Sequence, residues 1–262
     1  MCKIMNLPVV ELFHSIQGEG IHTGVPSIFL RVTGCNLRCV FKDSICDTSY
    51  TSFNPAEPIF ADIDEIEQAI RTLKSQHINT AHLVITGGEP LLYKEGIKEL
   101  LCRIRDLNFY VTVETNGTLG VIKELLGDFP YINLYSVSPK LSTSVDYDCK
   151  FLTQAQRDRH SKLRINYEKL AEYFTSVYRA EVQLKFVYSD EQSVYEICSI
   201  INKLNESFNC NITPDQILLM PEGATQDQLE AKSLACAEEC IKRGWRFCDR
   251  LHIRIWNDKK CV

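Results

Sequence analysis

Short apolar runs alternate with amphipathic stretches along nearly the whole chain. Val9 to Phe13, Ser27 to Thr33, Ala81 to Thr86, Phe109 to Thr115, Ile132 to Val137, Glu181 to Tyr188, Gln216 to Met220 and Arg250 to Trp256 are compact runs that predict strands. Helices are predicted over Asp62 to Gln76, Tyr93 to Leu107, Leu119 to Leu126, Ile165 to Phe174, Gln192 to Asn205 and Thr225 to Arg243. In the first of these, Ile63, Ile66, Ala69, Ile70 and Leu73 fall on one stripe, and Asp62 is placed to cap it with Glu65 three residues on. Thr225 caps the last helix and Gly244 stops it. From Ser142 to about His160 the chain turns polar and reads as an exposed excursion.

Strand followed by helix, repeated, predicts an α/β fold of parallel strands joined by right-handed crossovers. About six such units are visible, too few for a closed eight-fold barrel, so an open, partial barrel is expected. Ligands in such folds bind at the C-terminal ends of the strands.

The 262 residues suffice for a real core, and the whole span 1–262 reads as a single domain. At 45% hydrophobic and 24% charged residues there is no case for wholesale disorder. A net charge of −5 argues against a broad nucleic-acid-binding face. No apolar run reaches the ~18 residues of a membrane helix, and the first residues lack the apolar core of a signal peptide. A cytoplasmic protein is expected, its twelve cysteines serving as thiols and metal ligands rather than disulfides.

Chemistry concentrates after the second strand, in G-C-N-L-R-C-V-F-K-D-S-I-C-D-T-S-Y, where Cys35, Cys39 and Cys46 share one loop. Three thiolates are one short of a closed zinc site or a fully ligated four-iron cluster, and the open corner is where chemistry can occur. Gly87-Gly88-Glu89-Pro90, Asn116 and Ser138 to Lys140 also follow strands directly, so one mouth collects them all. Ser15 to Gly20 is dense in glycine: a loop in which Gln17 and Glu19 meet a polar ligand, or a plain turn. Arg31 sits inside a strand and reads either as a charge that meets a carboxylate or phosphate, or as a structural ion pair or a snorkelling surface arginine. Cys236, Cys240, Cys248 and Cys261 form a second set, open to reading as a zinc or auxiliary cluster site or as small buried hydrophobes.

The cysteine triad followed by G-G-E-P resembles the radical S-adenosylmethionine (SAM) superfamily. A closer resemblance covers nearly the whole chain, through E-L-F-H-S-I-Q-G-E-G, F-L-R-V-T-G-C-N-L-R-C, C-D-T-S-Y, T-G-G-E-P, E-T-N-G, S-P-K, L-K-F-V and the C-terminal R-L-H-I-R-I-W. These pieces are similar to those of the 7-carboxy-7-deazaguanine synthase family of the queuosine and deazapurine pathway.

That resemblance implies a [4Fe-4S] cluster on Cys35, Cys39 and Cys46, with SAM on the fourth iron. It implies reductive SAM cleavage and hydrogen abstraction from 6-carboxy-5,6,7,8-tetrahydropterin, followed by ring contraction with loss of ammonia. It also implies Mg2+ on Thr48, a homodimer, and an electron donor such as flavodoxin or ferredoxin. Gly88, Glu89, Ser138, Pro139, Lys140, Gln183, Lys185 and Phe186 would meet SAM. Ile16, Gln17, Gly18, Glu19, Arg31, Thr86, His252 and the terminal carboxylate of Val262 would meet the substrate.

The spacing departs from the superfamily's usual C-x3-C-x2-C, which would put the third cysteine at Lys42; here the motif is C-x3-C-x6-C. A loop tolerates such insertion at small entropic cost. Two rivals remain: another radical SAM enzyme such as a glycyl-radical activase, and a non-enzymatic metal-binding module.

Overall fold

The computed structural model describes residues 7–42, 45–122, 132–175, 180–257 and 259. Cys2, Cys261 and Val262, and the second half of the helix expected over Leu119 to Leu126, lie outside them; Leu119 to Ile122 are not helical.

One sheet runs through the molecule in the order β1 to β8, open at both edges. Its strands are β1 (Val9–Ile16), β2 (Pro26–Val32), β3 (His82–Gly87), β4 (Tyr110–Thr115), β5 (Leu134–Val137), β6 (Glu181–Tyr188), β7 (Ile217–Pro221) and β8 (Arg246–Phe247). From β2 onward every neighbour is parallel, whereas β1 pairs antiparallel with β2. Antiparallel neighbours can be joined by a short loop, and only the loop 17–25 separates these two.

The crossovers carry α1 (Ile63–Gln76), α2 (Lys94–Arg103), α3 (Gln154–Leu163), α4 (Tyr167–Glu172), α5 (Glu191–Phe208) and α6 (Gln226–Arg243). Asp62 caps α1 by accepting from Asp64 N, and Thr225 caps α6 by accepting from Gln228 N. No helix among the described residues is long and apolar enough to cross a membrane.

Successive strand residues point to opposite faces, and here the two faces differ in chemistry. Ile28, Leu30, Val32, Leu83, Ile85, Val111, Val113, Tyr135, Val137, Leu184, Phe186, Ile217 and Leu219 meet the helices in one continuous core. The alternate positions carry Arg31, Thr86, Glu114, Ser136, Gln183 and Lys185. The strand register aligns Arg31 with Thr86, Glu114 with Ser136, and Ser136 with Gln183. A polar ladder therefore crosses the inner face of the open barrel.

Two expectations are corrected. Arg250 to Trp256 is not a strand: α7 (Leu251–Trp256) is a short helix, and the sheet edge is taken instead by β8. A short apolar run cannot be assigned by periodicity alone. The side chain of Gln226 settles this one, its amide donating to the carbonyls of Ile253 and Arg254. Nor is the polar segment from Ser142 to His160 merely exposed. Cys149 and Leu152 pack with Val40 of the cysteine loop, and His160 is 1% exposed on α3.

Phe186 is wholly buried in the helix-facing core. Phe186→Ala is expected to cost about 3–5 kcal/mol of stability, read from the denaturant midpoint, because a core aromatic leaves a cavity the sheet cannot close.

Candidate active site

The cysteine loop leaves β2 and crosses the mouth of the barrel. Its three thiols are free, with Cys39 buried and Cys35 and Cys46 half-buried. Burial pushes the Cys35 thiol up to about 11 and raises Cys39 and Cys46 as well. Such thiols ionise when a metal takes the proton's place. The Lys140 ammonium works against burial at all three positions. The Thr48 hydroxyl lies 3.4 Å from Cys46 Sγ. The longer arm closes on itself through a bridge between Val40 and Ile45, and Cys46 N donates to Cys39 O at 3.1 Å.

The G-G-E-P turn packs directly under this loop. A Cβ on Gly88 would stand 2.1 Å from Gly34 O and 3.0 Å from Cys35 Cβ, so only glycine lets the two backbones approach. Glu89 is 0% exposed and accepts from Leu91 N at 3.0 Å, Thr115 Oγ1 at 2.8 Å and Asn116 N at 2.7 Å. Burial raises its carboxyl despite these donors. It buttresses the end of β4, where Asn116 Nδ2 donates to Asn36 Oδ1 at 3.0 Å inside the cysteine loop. Beside it, Ser138 N donates to Thr115 O at 2.8 Å, Pro139 is buried, and Lys140 Nζ donates to Ser138 Oγ at 3.0 Å.

Deeper in the barrel Glu114 gathers the expected substrate residues. Thr86 Oγ1 donates to it at 2.8 Å and Gln17 Nε2 at 3.2 Å. Arg31 answers its question of a partner within the chain: Nε lies 2.6 Å from Glu11, which also receives the Tyr50 hydroxyl at 3.0 Å. Burial would lower the Arg31 guanidinium, and Tyr50, Glu11 and Glu114 more than offset it. Ile16 ends β1 opposite Pro26. Gln183 bridges inward, donating to Ser136 Oγ at 2.7 Å and accepting from Ile21 N at 3.0 Å.

The glycine-rich loop is clasped by the C-terminal segment. Leu251 N donates to Gly18 O at 2.9 Å, and a Cβ on Gly18 would stand 2.0 Å from His252 Nδ1. Gly20 N donates to Cys248 Sγ at 3.1 Å. Glu19 pairs with Lys185 and, at 2.9 Å, with Arg250 Nε; Arg250 pairs in turn with Asp47, next to Cys46, and donates to Gly223 O. Arg250 and Lys185 are 9% and 6% exposed, so the chain's own carboxylates must balance them. Burial would raise Glu19, but Lys185 and Arg250 hold it well below its ordinary value. Burial likewise opposes, and Arg250 lowers, the Asp47 carboxyl.

The expected residues thus fall into two groups at one mouth. Cys35, Cys39, Cys46, Thr48, Gly88, Glu89 and Ser138 to Lys140 lie at the rim, while Gln17, Arg31 and Thr86 lie round Glu114. Glu19 and Lys185 bind each other, and the Phe186 side chain faces the helix-packed core rather than the mouth. Glu114, Asp47, Arg250 and His160 were not anticipated as site residues. Glu114 had a signal, an acid amid an apolar strand; the other three act through partners remote in sequence. Cys236 and Cys240 belong to the main core and Cys248 packs with Leu218 and Met220. Among the described residues no three or more His, Cys, Asp or Glu side chains converge closely enough for a single metal ion.

The pattern of the Radical SAM superfamily matches residues 30–178, so this open barrel with its cysteine loop is a radical SAM protein. The chain is 37% identical to the 7-carboxy-7-deazaguanine synthase of Halobacterium salinarum, covering 96% of this chain and 91% of that one. It is 34% identical to the synthase of Rhodopirellula baltica, over 97% and 88% of the two chains. The crystal structure of QueE from Escherichia coli shares the fold, with a TM-score of 0.61 at 23% identity over 95% of each chain. The chain belongs to the 7-carboxy-7-deazaguanine synthase family. With membership come the superfamily's cofactors, a [4Fe-4S] cluster and SAM.

Removing Arg250 leaves Glu19 and Asp47 short of their cation. Arg250→Ala is expected to destabilise the protein by about 3 kcal/mol in denaturant titrations near neutral pH. Both carboxyls titrate lower in the folded chain than the ordinary 4.5 and 3.8. The stability they contribute is therefore complete above those values and lost as pH falls through the folded ones. The variant should lose less stability than the parent between about pH 6 and about pH 3; equal acid slopes would show that the network does not carry this dependence.

Proposed function

We propose that this chain converts 6-carboxy-5,6,7,8-tetrahydropterin to 7-carboxy-7-deazaguanine with loss of ammonia. The observation that carries the reading is the meeting, at one barrel mouth, of a three-thiol loop with a polar pocket containing Arg31, Thr86, Gln17 and Glu114. Neither rival is favoured, because the Halobacterium salinarum and Rhodopirellula baltica relatives, which cover nearly the whole chain, are both synthases of this kind.

The donor set fits the cofactors. Cys35, Cys39 and Cys46 are soft ligands with no disulfide partner, and Lys140 offers positive charge beside them. When bound, the cluster and SAM supply one-electron chemistry that removes a hydrogen atom from the substrate. The protein's own part is positioning. Gly88 lets the G-G-E-P turn pack against Gly34 and Cys35, with Glu89 fixing that turn, so the backbone that would meet the amino end of SAM is held beside the first cysteine. Ser138, Pro139, Lys140 and Gln183 line the side toward β5 and β6. Lys185 holds Glu19, and Glu19 keeps the Gln17-Gly18 loop in place under His252. Arg31 offers its guanidinium to the substrate carboxylate while Glu11 orients it. Glu114 fixes Thr86 and Gln17 against the substrate ring. Thr48 presents a hydroxyl oxygen, the donor type Mg2+ prefers.

We read the chain as one domain, which the unbroken sheet from β1 to β8 supports. We further infer a cytoplasmic homodimer reduced by a flavodoxin- or ferredoxin-type donor; the free state of all described cysteines favours a reducing compartment.

Anaerobic reconstitution with iron and sulfide, then incubation with SAM, Mg2+, a reductant and the carboxypterin, should yield the deazaguanine acid by mass spectrometry. SAM cleavage without that product would sink the assignment. Cys46→Ala should lose most of its iron and all SAM cleavage; retention of both would remove Cys46 from the ligand set. Arg31→Ala should raise the substrate KM by ~10–100-fold, the worth of a charged hydrogen bond. Its substrate-free SAM cleavage should stay near the parent's.

A further inference from the structure

The polar segment after β5 has no role in the reading above, yet one of its side chains reaches into the cysteine motif. We propose that His160 is a positioning residue that holds the cluster loop in ligating shape through the backbone of Arg38. This rests on the reading of Cys35, Cys39 and Cys46 as ligands.

His160 is the buried exception on α3, a helix otherwise largely polar and exposed. An imidazole so enclosed needs partners on both nitrogens. Nδ1 accepts from Arg38 N at 3.0 Å, and Nε2 lies 3.0 Å from Ser144 Oγ. The Ser144 hydroxyl proton is already given to Leu141 O at 2.6 Å. Ser144 Oγ therefore accepts, Nε2 carries the imidazole proton, and the Nδ1 lone pair is left for Arg38.

Arg38 lies between the first two cysteines, and its guanidinium closes the same arm by donating to the carbonyls of Cys35 and Leu37, each at 2.7 Å. With its N–H turned outward to His160, the arm keeps one shape, in which Leu37 N faces Cys35 Sγ at 3.4 Å.

The second arm, lengthened to C-x6-C, is held by the same segment. Val40 N donates to Ser144 O at 2.9 Å, and Asp146 N donates to Val40 O at 3.1 Å. The insertion and the polar segment are thus matched parts: residues 144–146 brace the long arm, and His160 locks the short one.

Two variants separate hydrogen bonding from bulk. His160→Leu fills the space without an acceptor; His160→Asn places a carbonyl oxygen near the former Nδ1. In the cluster-free protein, hydrogen exchange at the Arg38 amide should quicken at least ~10-fold in His160→Leu and by no more than ~3-fold in His160→Asn. After reconstitution, His160→Leu should surrender iron to a chelator ~10-fold faster than the parent, with an altered electron paramagnetic resonance line shape, and His160→Asn should restore both. Unchanged exchange and iron retention in a folded His160→Leu protein would overturn the proposal. So would an Asn variant as defective as Leu, since packing alone would then be at issue. If His160→Leu does not fold, Ser144→Ala carries the test: the freed imidazole should raise Arg38 exchange, and an unchanged rate would count against the lock. The exchange readout needs neither substrate nor product, so failure of the pterin reaction leaves it standing, and its failure leaves the reaction untouched.

Discussion

Two cations deep in the barrel, Lys185 on β6 and Arg250 ahead of α7, oblige distant parts of the chain to meet. Neither can stay charged at low exposure without a carboxylate. Glu19, from the loop after β1, serves both, and Asp47, from the cysteine loop, serves Arg250. Because each partner lies on a different connection, satisfying the charges also fixes the glycine-rich loop, the third cysteine and the C-terminal segment relative to one another. The mouth is assembled by charge balance as much as by apolar contact.

The sheet beneath it divides its labour by face. Outward residues form one core with the helices and supply the bulk of the stability. Inward residues at the alternate strand positions form a polar ladder that would be costly without internal partners, and nearly every rung has one: Arg31 with Glu11, Thr86 with Glu114, Ser136 with Gln183, Lys185 with Glu19. A preorganised pocket results, in which donors and acceptors are aimed before any ligand arrives.

Much of this was legible in the chain. β6 runs over the compact run that predicted it, and α1 and α6 begin at the caps their sequences predicted. The cysteine loop, the G-G-E-P turn and S-P-K fall at one end of the sheet because strand-to-helix order alone sends them there. Other features were not legible. Arg250 to Trp256 alternates like a strand, but the edge it would have joined is held by β8, and Gln226 supplies hydrogen bonds to a helical turn. The segment up to His160 is polar in composition, and composition cannot reveal that one imidazole is turned inward onto Arg38 N.

By itself, then, the chain's local pattern determined the order of elements, the two-faced strands and the spacing of the thiols, since these depend on neighbours a few residues apart. Which carboxylate would balance Arg31, what would hold Asp47, and how a lengthened cysteine arm would be braced were decided only on folding. Those answers depend on which side chains, hundreds of positions apart in the case of Asp47 and Arg250, arrive within hydrogen-bonding distance once water has been excluded from between them.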